Sequence, residues 1–201
     1  MRASSCQWTT GLCRRHRGVP IHIPGCSQTP FGPENRGSLR SRRGRKTKVV
    51  NNAIEVQLGH DDKFVPDGPR ITAWVDSALK SVQKRAVAIT VRVVTRDEMQ
   101  NLNVRFRGQN SATNVLSFPS DNLGSQRRGV SGDIAVCSVV VQTEAQEQNK
   151  AADAHWAHMI IHGVLHLCGY DHTTDAAATD MESIEVLILR QLGFPDPYNL
   201  H

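Results

Sequence analysis

Residues 154–168, AHWAHMIIHGVLHLC, constrain the fold more than any other stretch of the chain. The segment has helical length, and Trp156, Met159, Ile160, Ile161, Val164, Leu165 and Leu167 make it apolar nearly all round. Such a helix is stable only when covered on most sides, so it must lie inside a layered domain. The rest of the chain supplies the layers. Residues 54–58 (IEVQL) alternate as a half-buried strand, and 87–94 (VAITVRVV) are β-branched. Residues 113–118 and 132–137 read as two further strands. Helices are expected over 69–84, behind Pro69, and over 95–105, where Thr95 and Glu98 form a capping box. Two more follow at 138–149 and 175–192. The order β-α-β-α-β-β-α-α-α predicts an α+β domain with a four-stranded mixed sheet and about five helices.

Charge divides the chain in two. The net charge is +5, yet residues 1–48 hold eleven Lys and Arg against the single acid Glu34. Residues 49–201 hold thirteen Lys and Arg against eighteen acids. The basic character belongs to the N-terminal stretch, so overall charge does not argue for nucleic-acid binding by the remainder. Residues 1–48, rich in Pro, Gly, Ser and Arg, are expected to be a disordered basic extension, with residues 49–201 a single domain. An RNA-binding arm, an organellar transit peptide and a start codon set too far upstream remain open readings of the extension. No apolar run approaches the ~20 residues of a membrane helix, and no secretory signal is visible. A cytoplasmic location is expected, or an organellar one if residues 1–48 are a transit peptide. Five cysteines without such a signal argue against a disulfide framework. Cys6, Cys13 and Cys26, near His16 and His22, match no compact metal knuckle, and Cys137 and Cys168 sit in apolar contexts.

Five of the nine histidines fall within 155–172, HWAHMIIHGVLHLCGYDH. His162 and His166 are four apart, so on a helix their rings leave one face about one turn apart. Gly169 follows the expected helix end, where a left-handed residue lets the chain double back and bring His172 to the same point. Three neutral imidazoles leave zinc its full charge and one open position, which is the pattern of a catalytic site. A lone histidine on an apolar helix is usually a core residue with a hydrogen bond. A pair on one buried face, then a glycine turn and a third histidine, weakens that reading. His155 and His158 are expected to pack or to support the ligands, and Asp171 either orients His172 or caps the turn. The spacing H-x-x-x-H-x-x-G-x-x-H also resembles the metzincin proteases, which makes the helix zincin-like. Those proteases carry a glutamate base directly after the first ligand, where this chain has Gly163.

The segment HGVLHLCGYDH, residues 162–172, resembles the signature of the YbeY family of endoribonucleases. Residues 102–119, LNVRFRGQNSATNVLSFP, and 132–144, GDIAVCSVVVQTE, are similar to two further stretches of that family, with Phe106 where tyrosine is common. The likeness covers roughly residues 54–198. It implies a single-strand-specific, metal-dependent endoribonuclease that matures the 3′ end of small-subunit ribosomal RNA and serves ribosome quality control. It also implies one Zn2+ on His162, His166 and His172, and a catalytic role for Arg107. Ribosomal RNA is the implied partner, with ribosomal proteins beside it, and no DNA or membrane is expected. Two other readings stay open: a zinc metalloprotease, and a non-enzymatic ribosome-assembly factor with structural zinc.

Overall fold

Short polar caps at Asp67, Thr95 and Thr174 set where three of the helices begin. A computed structural model describes residues 48–51, 53–59, 64–120 and 129–199. The expected extension over 1–48, with Cys6, Cys13 and Cys26, lies outside them apart from Lys48. Strands β1 (Lys48–Asn51) and β2 (Ile54–Leu58) lead to helix α1 (Gly68–Ser81), whose cap Asp67 accepts from the Arg70 amide at 2.9 Å. Strand β3 (Arg85–Val94) is followed by α2 (Arg96–Arg107), capped as expected by Thr95 accepting from the Glu98 amide at 3.2 Å. Then come β4 (Val115–Pro119), β5 (Gly129–Cys137), α3 (Ser138–Glu147), α4 (Ala152–Leu167) and α5 (Asp175–Gln191). Helix α1, expected to reach residue 84, stops at Ser81, and Gln83 turns the chain with φ 55°.

The sheet order is β1-β2-β3-β5-β4, parallel at β2/β3 and β3/β5 and antiparallel at both edges. The four expected strands form this mixed sheet, and β1 adds an outer strand beside β2. Strands β3 and β5 begin earlier than expected because their first residues pair with each other, Arg85 with Gly129 and Ala86 with Val130. Register places Val56, Val91, Ile134 and Ser117 side by side across four strands. That row belongs to the face covered by α1 and α4, with α5 packed on those two helices, where the main core lies. The opposite face carries a smaller core of Val94, Met99, Leu116, Ala135 and Cys137 beneath α2.

Helix α4 packs against α1, α3, α5, β4 and β5, so the apolar helix is enclosed as its sequence demands. Twelve of its sixteen residues are buried, His155, His158 and His162 among them. No helix among the described residues is long and apolar enough to cross a membrane.

Candidate metal centre

The end of α4 determines where the third histidine goes. Gly169 takes φ 93°, its amide donates to the His166 carbonyl at 3.1 Å, and the Tyr170 amide donates to the Leu165 carbonyl at 3.0 Å. These two bonds make a Schellman turn, which satisfies carbonyls the helix leaves open and reverses the chain. His172 is thereby brought back over the last turn of α4. Its own amide donates to Asp171 Oδ1 at 2.7 Å, so Asp171 shapes the turn.

The potential ligand atoms of His162, His166 and His172 all lie within 4.8 Å of one another. Ring centroids are 4.5 Å apart for His162 and His166, 5.0 Å for His166 and His172, and 5.6 Å for His162 and His172. His162 is buried, and the other two are half-buried. The triad expected from sequence is therefore assembled.

Hydrogen bonding dictates which nitrogen each helical ring offers. His162 Nδ1 donates to Glu185 Oε1 at 2.7 Å, and His166 Nδ1 donates to the Tyr170 carbonyl at 3.0 Å. A carboxylate and a carbonyl only accept, so both protons sit on Nδ1 and both Nε2 atoms present lone pairs. Those Nε2 atoms are 3.0 Å apart. Two facing lone pairs repel unless a cation lies against both or one ring is protonated. Protonation is opposed: burial, then the His162 and His172 imidazoles, push the His166 pKa down to about 4. Burial and His162 lower His172 likewise. The donor set thus fits a metal ion, with each helical imidazole anchored through its far nitrogen.

Glu185 was not singled out in the sequence, yet it organises one side of the site. It is fully buried on α5, bonded through Oε1 to His162 and through Oε2 to His158 Nε2 at 3.1 Å and to the Tyr198 hydroxyl. Burial pushes its carboxyl up, but the hydrogen bonds from His158 and His162 outweigh this and hold it well below the usual range. Burial and the Glu185 charge raise the Tyr198 phenol, so that hydroxyl keeps its proton to donate. A second buried network was also missed. His155 Nε2 donates to Glu144 Oε2 at 2.9 Å, and Asn114 Nδ2 reaches both Glu144 oxygens at 3.1 and 2.9 Å. One signal for both acids was available: Glu144 and Glu185 stand in the apolar stripes of their helices, beside Val141 and Ala145 in one and Met181 and Ile188 in the other.

Arg107 is the exposed last residue of α2, and its Nη2 donates to the Ser117 carbonyl at 3.4 Å. Ser117 Oγ in turn donates to the carbonyl of Gly163, next to His162. The guanidinium is thus tied to the strand that backs the histidine helix. Gly163 has a packing reason for its missing side chain. A Cβ there would come within 3.1 Å of Ile134 Cγ2 and Ser117 Oγ, and 3.3 Å of Val115 Cγ2. The position a protease would give to glutamate faces the sheet.

The family model for Endoribonuclease YbeY matches residues 59–193. The endoribonuclease YbeY of Cellvibrio japonicus is 42% identical over 146 residues, which cover 73% of this chain and 82% of the relative. The solution structure of a Thermotoga maritima protein is 28% identical, with 73% of this chain and 99% of that one covered at a TM-score of 0.44. With the family model and the Cellvibrio relative both spanning most of the chain, this protein belongs to the YbeY family.

Proposed function

We propose that this protein is a zinc-dependent endoribonuclease that cuts single-stranded RNA in ribosomal RNA processing, at the 3′ end of the small-subunit RNA, and in ribosome quality control. One observation carries the reading: three imidazoles converge, and the two on α4 have their Nδ1 protons committed to Glu185 and Tyr170. Imidazole donors suit zinc, and three protein ligands leave a position open for chemistry. Helix α4 then acts as a zincin-like metal helix. Bound there, the cation supplies Lewis acidity, which stabilises charge at a phosphoryl oxygen and eases ionisation of water near neutral pH.

The chain's own residues divide the remaining work. His162, His166 and His172 stay neutral and hold the cation. Arg107 offers a planar fork of donors that can grip a phosphate bidentately as negative charge gathers on it. Residues 49–201 are net acidic, so these local positive groups, and not a general field, draw the RNA backbone in. Single strands suit the site because their backbone is flexible enough to enter it. Ribosomal RNA is the partner on this reading, ribosomal proteins guide substrate choice, and the location is the cytoplasm, or an organelle if residues 1–48 direct the chain there. The family match and the Cellvibrio relative support the nuclease reading, and the packing of Gly163 against the sheet argues against a glutamate-dependent protease.

Metal analysis of the purified protein, paired with cleavage of a precursor ribosomal RNA, tests this. His166→Ala is expected to lose zinc and cleavage together. Arg107→Ala should keep the metal and lose most cleavage, with stability within about 0.5 kcal/mol of the parent because the side chain is exposed. Normal RNA cleavage by metal-free His166→Ala would overturn the metal mechanism, and full activity in Arg107→Ala would remove that residue from it.

A further inference from the structure

A fully buried carboxylate within an apolar helix stripe needs a reason. Glu185 lies on α5 among Met181, Ile188 and Leu189, all buried. Burying an ionised group is expensive, and well-packed apolar side chains often serve stability equally well in such places. Its position is better explained by what its oxygens hold.

Resting on the metal reading above, we propose that Glu185, clamped by Tyr198 of the segment after α5, is a positioning residue that keeps His162 Nε2 turned to the metal. The segment beyond α5 is thereby a working part of the centre. Three donors from two parts of the fold converge on the carboxylate: His162 and His158 from α4, one turn apart, and Tyr198 from beyond α5. An ionised carboxylate only accepts, so it selects the Nδ1–H tautomer of His162 and frees Nε2 for a ligand bond. Among the described residues Oε1 serves His162, while Oε2 is shared by His158 and Tyr198, which fixes the rotation of the group.

Tyr198 is itself held in place. The Lys150 ammonium donates to the Pro197 carbonyl at 2.7 Å, and the Tyr198 amide donates to Asp196 Oδ1 at 3.0 Å. Asp196 Oδ2 takes a bond from Arg190 at 3.3 Å. The phenol ring stands edge-on to His158, with centroids 5.5 Å apart. Without the hydroxyl, the carboxylate keeps His158 on Oε2 but loses the second donor that stops it swinging away from His162.

The test is zinc affinity, measured by competition with a chromophoric chelator on full-length protein, alongside thermal unfolding of the metal-free form. Glu185→Gln is expected to weaken Zn2+ binding about 10–100-fold, because an amide can present its NH2 to His162 and shift the proton to Nε2. Tyr198→Phe is expected to lose about tenfold, with little change in the metal-free unfolding midpoint. If Glu185→Gln does not fold, Tyr198→Phe decides alone. Parental zinc affinity in Tyr198→Phe overturns the proposal, as does a lowered metal-free midpoint with affinity unchanged. His166→Ala is run in parallel to separate two failures. If it loses zinc while Tyr198→Phe does not, only the positioning role falls; if it too binds zinc normally, the metal site itself falls.

Discussion

Protonation of His166 competes with everything the site is built to do. Its pKa is pushed from the ordinary 6.5 down to about 4 by burial and by two neighbouring imidazoles. The unfolded chain therefore binds a proton between those values that the folded chain refuses, and this favours unfolding as pH falls. Metal-free protein is expected to keep its stability above about pH 6.5 and to lose it progressively towards pH 4, with His172 adding in the same direction. Thermal unfolding across that range checks this, and a midpoint that rises on acidification would contradict it. The triad was legible from spacing because four residues make one helical turn and glycine tolerates the turn after it. The partners of its outer nitrogens were not. Glu185 stands 23 residues from His162, and only the crossing of α4 and α5 brings the two together.

At the level of elements, the close approach of α4 to the sheet depends on one residue. Gly163 lets the helix lie against Ile134 and Ser117, and the Ser117 hydroxyl then reaches its carbonyl at 2.9 Å. Gly163→Ala sets two effects against each other. Alanine gains up to about 1 kcal/mol of helix propensity, while overpacking costs about 1–3 kcal/mol. Overpacking should win, because the atoms at 3.1 Å belong to strands β4 and β5, which are paired with each other. A net loss of about 1 kcal/mol is expected in urea unfolding. A more stable variant would show that the strands yield. From sequence, Gly163 signified only a missing base. Its contact with the sheet was hidden because periodicity identifies a buried face without saying which face comes closest. The same holds for helix ends: α1 was read too long because Val82 continues its apolar stripe, while Gln83 turns the backbone away at φ 55°.

For the molecule as a whole, the candidate metal centre lies at the edge of a large apolar core. Trp156, Ile160, Ile161 and Leu165 of α4 are fully buried in the apolar cluster shared by α1, α5 and the sheet. Chelation is therefore expected to abolish RNA cleavage while leaving a cooperative unfolding transition. Restoring zinc to 100 times its Kd should add about 2.7 kcal/mol of stability. Loss of the transition on chelation would point to a structural ion. By itself the sequence determined the α+β class, four of the strands, all five helices and the three converging imidazoles. Each of these follows from local periodicity, capping or spacing along one stretch of chain. Only the tertiary structure decided the outer strand β1, the bond of Arg107 to β4, and the buried carboxylates that orient the histidines. These depend on contacts between residues far apart in the chain, which register and helix crossing bring together and local pattern does not encode.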